Sequence, residues 1–276
     1  MNILITGANG LIAQNLIKKI NDTHSIYFLF NGEEYEFFDN KITVNLLNVN
    51  HVKSLLSEKL EFDVLVHTAS KMANKDNLKN IDLFFDNISM YKNLVLIINK
   101  FKLKKVINFS SIAVYPNKDG VYCEDSEILP SINNDGLYGL SKFCGENLLD
   151  FCCKGVGVVN LRISQVYSRR NDRIFEVMKR ELLESNKISV YGNCNRVGNF
   201  ITIDLLVEKV LFFINNDLYG VFNIGGENLS YKDLALSIIN KYGNSRSIIK
   251  CVDKGVSSKM YINLNKLKNI EANNDL

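Results

Sequence analysis

The sequence predicts an α/β protein, a doubly wound parallel sheet with a smaller C-terminal lobe whose segments interleave with it. Three observations carry this. Short apolar runs alternate with longer helix-periodic segments through the first two thirds of the 276 residues. A glycine-bearing turn, Thr6 to Ala13, joins the first strand to the first helix. No low-complexity linker separates the halves. Strands alternating with helices require right-handed crossovers, hence a parallel sheet covered on both faces.

The elements follow in order. Asn2 to Ile5 is an apolar run of strand length, after which Leu11, Ile12, Leu16, Ile17 and Ile20 recur at helical spacing. Ser25 to Phe30, Ile42 to Val44 and Val64 to His67 read as strands, the last preceded by a helix-like stretch from Val52 to Leu60. A long helix is expected from Asp86 to Lys100, a strand from Val106 to Ser110, a helix from Tyr138 to Gly155 and a strand from Val158 to Ile163. Beyond Arg170 the spacing loosens, with Ile188 to Tyr191 and Val221 to Ile224 as strand-like runs.

Composition narrows the function. Lys plus Arg number 33 against 30 Asp plus Glu, a net charge of +3, too little asymmetry to argue for a nucleic-acid partner. The densest basic group, Lys100, Lys102, Lys104 and Lys105, is interleaved with apolar residues and reads as a helix end and strand entry. Hydrophobic residues at 46% and charged residues at 23% are those of a globular protein and rule out disorder as the main state. The longest apolar runs, such as Leu94 to Ile98, are far short of the ~20 residues a bilayer span needs. No basic region or cleavage site precedes the first strand, so the expectation is a cytoplasmic protein without membrane association. Six cysteines (Cys123, Cys144, Cys152, Cys153, Cys194, Cys251) form no CxxC pair and are expected to be buried, reduced thiols. His24, His51 and His67 are scattered and suggest neither a metal site nor a histidine-based triad.

The turn after the first strand reads Thr6-Gly-Ala-Asn-Gly-Leu-Ile-Ala13. Gly7 permits a tight strand-to-helix turn, Gly10 close backbone approach to a pyrophosphate, and Ala13 close packing of helix on strand. The helix N-terminus adds amides and a positive dipole end. These features make the first part of the chain a Rossmann-type dinucleotide-binding domain, expected at 1–165 with 201–224 returning to it. Residues 166–200 and 225–276 are then the smaller substrate-binding lobe. An acidic residue at the end of the second strand would bind the adenine ribose, but Asn31 stands there, followed by Gly32, Glu33 and Glu34. Asn31 can still bond a ribose, the glutamates would repel a 2′-phosphate, and no arginine is near in sequence. NAD is favoured over NADP.

Tyr138-Gly-Leu-Ser-Lys142 puts a tyrosine and a lysine on one face at the start of a helix. An ammonium near a phenol is expected to lower its pKa toward neutrality, making the tyrosine a usable acid or base. Ser110 and Ser111 end a strand, where a hydroxyl can bond an oxygen that gains charge during hydride transfer.

Further markers join these two motifs. They are His67-Thr-Ala-Ser70, Asn87-Ile88 with Asn93-Leu94, Ser110 to Tyr115, Glu146, Leu161-Arg162, Phe200-Ile-Thr-Ile-Asp204 and Asn223-Ile-Gly-Gly226. Together they resemble the extended short-chain dehydrogenase/reductase family, the NAD-dependent epimerases, dehydratases and ketoreductases of nucleotide sugars, over nearly the whole chain. The resemblance implies Ser111, Tyr138 and Lys142 as the catalytic triad, with Lys142 also on the nicotinamide ribose. It implies cofactor contacts from Gly7, Asn9, Gly10, Leu11 and Ile12, from Asn31, Asn45 and Leu46, and from Ala69, Ser70 and Lys71. Asn45 replaces an acidic residue of the family. Gln165 stands where many relatives carry a substrate-binding Asn, and Arg196 lies two residues before the usual diphosphate-binding Arg; both are expected to bind substrate, with specificity around Gln165 to Arg173 and Val190 to Phe200.

Family dehydratases carry an Asp-Glu pair after the active-site hydroxyl. Here Ile112 and Ala113 follow Ser111, and neither moves a proton. Relatives that are epimerases have a fuller C-terminal lobe, whereas this compact lobe and the Asn31 and Asn45 replacements suit an exchangeable cofactor. The expectation is NAD(P)H-dependent reduction of the 4-keto group of a dTDP- or GDP-linked 6-deoxyhexose, for surface-polysaccharide synthesis. A nucleotide-sugar 4-epimerase is the alternative; a non-catalytic NAD(P)-binding sensor or scaffold is another, and such members typically lose the tyrosine–lysine pair. The resemblance also implies a homodimer through the Asp86 to Lys100 and Tyr138 to Cys153 helices; Met90, Leu94, Ile97 and Ile98 offer an apolar stripe for it, which burial within the subunit would equally explain.

Overall fold

In the first strand, β1 (Asn2–Thr6), Ile3, Leu4 and Ile5 are wholly buried, as a strand covered on both faces requires. The computed structural model describes residues 1–20, 24–74, 76–167 and 173–274. After β1 come α1 (Leu11–Lys19), β2 (Ser25–Phe30), β3 (Glu36–Phe38), β4 (Lys41–Thr43), α2 (Val49–Ser57), β5 (Val64–His67) and α3 (Asp82–Phe101). Then follow β6 (Lys105–Ser111), β7 (Gly120–Tyr122), α4 (Gly136–Cys152), β8 (Gly157–Ile163), β9 (Gln165–Tyr167), α5 (Arg173–Ser185), β10 (Lys187–Tyr191), β11 (Val197–Thr202) and α6 (Ile203–Asn215). The chain continues through β12 (Gly220–Ile224), β13 (Glu227–Ser230), α7 (Tyr231–Tyr242), β14 (Ile248–Val252), β15 (Met260–Ile262) and α8 (Asn265–Asn274).

Two compact units result. The first takes Met1–Val114, Ile128–Arg162 and Val207–Phe222, the second Tyr115–Glu127, Ile163–Leu206 and Asn223–Leu276. Tyr115–Glu127 thus belongs with the second unit, and the return to the first begins at Val207.

Among the described residues the main sheet runs β12-β8-β6-β5-β1-β2-β4-β3. β1 pairs in parallel with β2 and β5, β2 with β4, and β5 with β6; only the short edge strand β3, on β4, is described as antiparallel in this sheet. Leu4, Leu65 and Val106 of the strands pack with Leu94, Ile97 and Ile98 of α3 and Leu149 of α4 in one core. That corrects the dimer stripe. Met90, Leu94, Ile97 and Ile98 are buried inside the subunit, because the same apolar periodicity serves a core face. α3 exposes Phe85 and Leu96 instead, and α4 exposes Leu140 and Phe151.

A polar row crosses this core from the carboxyl ends of β1 and β5 to the middle of β6 and β8. Thr6 pairs in register with His67, and His67 with Asn108. Thr6 Oγ1 lies 2.8 Å from His67 Nδ1, and Asn108 Nδ2 donates to Asn160 Oδ1 at 2.8 Å. All four residues are buried.

In the second unit β13, β11 and β9 form a small sheet, β10 pairs with β14, and β7 with β15. Cys194 and Cys251 are joined in a disulfide, which corrects the expectation of six free thiols. Their partnership arises because β10 and β14 lie side by side, with Val190 opposite Cys251. Left-handed Gly192, Asn193 and Cys194 then turn the chain back toward β14. Of the others, Cys153 is buried, Cys123 and Cys144 are half-buried and Cys152 is exposed. No helix among the described residues is long and apolar enough to cross a membrane.

Candidate active site

The turn between β1 and α1 has the geometry its sequence demands. Gly7 sits at φ +69°, and a Cβ there would lie 2.8 Å from the Ala69 backbone. Gly10 N donates to Gly7 O at 2.8 Å, and Gly10 caps α1 with no side-chain hydrogen bond to its first amides. Those amides and the dipole are left facing outward.

They open onto a cleft of about 450 Å³ in the first unit. Its walls bring together Gly7, Asn9 and Gly10, then Asn31 from the end of β2, Asn45 and Leu46 after β4, and Ala69, Ser70 and Lys71 after β5. Leu11 and Ile12 do not line it; they follow Gly10 in the first turn of α1. Leu29, Val44, Leu47, Thr68 and Met90 complete the lining and escaped the sequence reading. Leu29 and Val44 lie within the expected strands, near their carboxyl ends, and could have been found there, whereas Met90 reaches the cleft only through packing of α3. Asn31 is fixed by its backbone amide donating to Asn9 Oδ1 at 2.8 Å. Asn45 Oδ1 accepts from Leu47 N, and Asn93 Nδ2 donates to Leu46 O, so the loop after β4 is held from two sides.

Ser111 ends β6, and its Oγ accepts from Ala113 N at 3.1 Å, leaving its proton available to another acceptor. α4 starts close to this point because Gly139 has no side chain; a Cβ there would lie 2.1 Å from Ala113 O. Tyr138 and Lys142 are buried on the inner face of α4. Lys142 Nζ lies 5.6 Å from the centre of the Tyr138 ring and 5.7 Å from that of Tyr91. Burial pushes the Tyr138 phenol up to about 12, opposed by a hydrogen bond to Ser70. Burial also pulls Lys142 down to about 7, opposed by Glu146. Burial thus moves the phenol away from the neutral range expected of it, with Asp135 acting in the same direction.

Asn87 ties these parts together. Its Oδ1 accepts from Lys71 N and Ser70 Oγ, while Nδ2 donates to Lys71 O and Ser141 Oγ. The cleft wall after β5 is thereby fastened to α4. Ser70 acquires a place beside Tyr138 that a cofactor-lining role alone did not suggest.

In the second unit, Gln165 and Tyr231 exchange hydrogen bonds at 2.9 and 3.0 Å. The Arg196 guanidinium lies 4.4 Å over the Tyr231 ring. Tyr231 had no signal in the sequence; it joins the two expected substrate residues only through the fold. Of the expected specificity stretch, residues 168–172 lie outside the described residues.

A family model, described as the NAD dependent epimerase/dehydratase family, matches residues 3–225. The chain belongs to the NAD dependent epimerase/dehydratase family. Within it, the chain is 26% identical over 231 residues to GDP-6-deoxy-D-talose 4-dehydrogenase of Aggregatibacter actinomycetemcomitans, covering 80% of this chain and 74% of that protein. It is 22% identical over 250 residues to UDP-glucuronate 4-epimerase of Thermodesulfobacterium geofontis, covering 81% and 74%. The structure of UDP-glucuronic acid 4-epimerase from Bacillus cereus in complex with NAD superposes with a TM-score of 0.79 at 24% identity, covering 98% of this chain and 92% of that one. The residues present fit the dinucleotide of the family. The side-chain-free cradle at Gly7 and Gly10, the uncapped amides of α1 and the cleft of about 450 Å³ they open onto are what a pyrophosphate and its adenosine need.

Proposed function

We propose that the protein reduces the 4-keto group of a dTDP- or GDP-linked 6-deoxyhexose with NAD(P)H, preferring NADH, in surface-polysaccharide synthesis. The observation that carries this reading is the buried Tyr138–Lys142 pair next to the end of β6, with no proton-moving side chain after Ser111. Ile112 is apolar, and Ala113 is buried with its carbonyl against Gly139. That composition suits transfer to a carbonyl and leaves no group for eliminating water. The name of the A. actinomycetemcomitans relative, a 4-dehydrogenase of a GDP-linked 6-deoxy sugar, supports the same chemistry.

A dinucleotide would supply the hydride when bound. Gly7, Gly10 and the α1 amides would hold its pyrophosphate, and Asn31, Asn45 and Ala69 to Lys71 would line the rest of its site. Ser111 Oγ donates to the substrate's 4-oxygen, a contribution commonly worth ~3 kcal/mol for one donor as charge develops there. Tyr138 gives its proton to that oxygen, and a phenol held near 12 is a competent acid toward an alkoxide. Lys142 then compensates the phenolate. Gln165 and Arg196 are proposed to bind the nucleotide sugar. The exposed Phe85, Leu96, Leu140 and Phe151 are proposed as the homodimer face.

A 4-epimerase would use the same three residues, and the relative from T. geofontis bears that name. Incubation with dTDP- or GDP-4-keto-6-deoxy sugars and one equivalent each of NADH and NADPH separates the readings. Stoichiometric loss of NADH with a new sugar peak is expected. Isomerisation without cofactor loss would establish the epimerase. Cofactor binding without change across a wide ketosugar panel would leave the sensor.

A further inference from the structure

Lys142 is 1% exposed, and a lysine there keeps its charge only as far as the protein around it compensates for the lost water. The carboxylate that acts on it, Glu146 on the same helix, is engaged by Arg162 of β8 and by Ser110 of β6. His67, facing it from β5, is held neutral by burial. What meets the ammonium directly is aromatic: Tyr138 on its own helix and Tyr91 on α3.

Tyr91 is built into this place from several sides. Its hydroxyl donates to Asn108 Oδ1 at 3.0 Å, on the polar row of the sheet. Its ring packs edge-on against His67, with centres 5.3 Å apart and planes at 64°. The ring needs room between α3 and α4, and Gly145 provides it: a Cβ there would lie 2.2 Å from Tyr91 Cε2 and Cζ. A glycine within a helix costs ~1 kcal/mol against alanine, so it marks a steric demand rather than a helical preference. Lys142 Nζ stands 5.7 Å from the ring centre, inside the ~6 Å within which an aromatic face attracts a cation.

We infer that Tyr91 is a positioning residue that receives the Lys142 ammonium on its ring face, and that Gly145 exists to admit that ring. Tyr91 thereby holds charge on Lys142 against burial and keeps it beneath Tyr138. The significance for turnover rests on the ketoreductase reading; the holding of the ammonium does not.

The test uses the full chain without added cofactor, labelled with ¹³Cε-lysine, and follows the Lys142 titration by NMR, assigned with Lys142→Met. Tyr91→Phe keeps the ring face, and 3,4,5-trifluorophenylalanine at position 91 keeps nearly the shape while removing the ring's negative face. Tyr91→Phe is expected to leave the Lys142 midpoint within a few tenths of a pH unit of the parent. The fluorinated ring is expected to lower it by roughly half to one unit relative to Tyr91→Phe. A purely structural role would leave these two equal, and equality overturns the inference. Should position 91 not tolerate replacement, Gly145→Ala displaces the ring and is expected to lower the midpoint in the same direction; an unchanged midpoint there overturns it equally. A shifted titration together with no turnover on any ketosugar would defeat the ketoreductase reading alone.

Discussion

Glu146 and Arg162 meet as a buried bidentate pair, Nε to Oε1 at 3.1 Å and Nη2 to Oε2 at 2.8 Å, with both side chains 4% exposed. Ser110 Oγ adds a third bond to the carboxylate. One helical turn past Lys142, this pair ties α4 to β6 and β8 and so fixes the face that carries Tyr138. Removing one partner strands a buried charge. Glu146→Ala is expected to cost about 3–5 kcal/mol in urea unfolding, whereas Glu146→Met combined with Arg162→Met should cost clearly less. Equal losses would mean that shape and not charge dominates there.

Tyr138→Phe tests the proposed proton donor. The phenol is buried on α4 beside Lys142, and its ring can stay while the hydroxyl leaves. Turnover should fall by about 10²-fold or more, with NADH affinity by fluorescence titration within about twofold of the parent. Loss of NADH binding instead would show that Tyr138 serves the fold or the cleft rather than the chemistry.

Much of this site was legible because its signals are local. Gly7, Gly10 and Ala13 have one reason each within a single turn, and Tyr138 and Lys142 need only helical spacing. The strands Ser25–Phe30 and Val64–His67 stand where their apolar runs put them. What stayed hidden depends on contacts across the fold. The three-residue strands β3, β7, β9 and β15 are too short to show a period. The α3 stripe reads the same whether it meets a partner or a core, and only the fold sends Leu94 and Ile97 inward. Cys194 and Cys251 lie 57 residues apart and become neighbours through β10–β14 pairing. The nearness of Tyr138 to Lys142 can be read from spacing, whereas the burial that raises the phenol depends on the packing of α4.

Gly7 and Gly10 should separate folding from binding. Gly7→Ala places a Cβ at φ +69° and 2.8 Å from the Ala69 backbone, with an expected cost of about 1–3 kcal/mol and a lower melting temperature. Gly10 has an ordinary negative φ, and its Cβ would meet only Gly7 O at 3.1 Å. Gly10→Ala should therefore melt near the parent while weakening NADH binding by about tenfold, since its Cβ intrudes where the pyrophosphate approaches. An unaltered NADH affinity in Gly10→Ala would remove the pyrophosphate from this turn.

His67 makes the fold sensitive to acid. Enclosed by Thr6 and Tyr91, it is pulled from 6.5 to about 3, chiefly by burial and secondly by the charge of Lys142. The unfolded chain takes up a proton as the pH falls through about 6.5, which the folded chain refuses until about 3. The stability is therefore fully present above 6.5 and is lost as the pH drops toward 3, at up to ~1.4 kcal/mol per unit. Between pH 6.5 and 4.5 this one group should remove about 2–3 kcal/mol. Among the other shifted groups, Asp150, raised above 3.8 by burial, acts in the opposite direction, regaining stability as the pH falls and so partly offsetting the His67 loss. Asp63, already below 3.8, loses its contribution at lower pH, and Lys142 acts between about 7 and 10.5. Urea midpoints of the parent should fall across the window, while His67→Gln, less stable at neutral pH, should give a clearly flatter line. Parallel lines for the two proteins would place the acid sensitivity elsewhere in the fold.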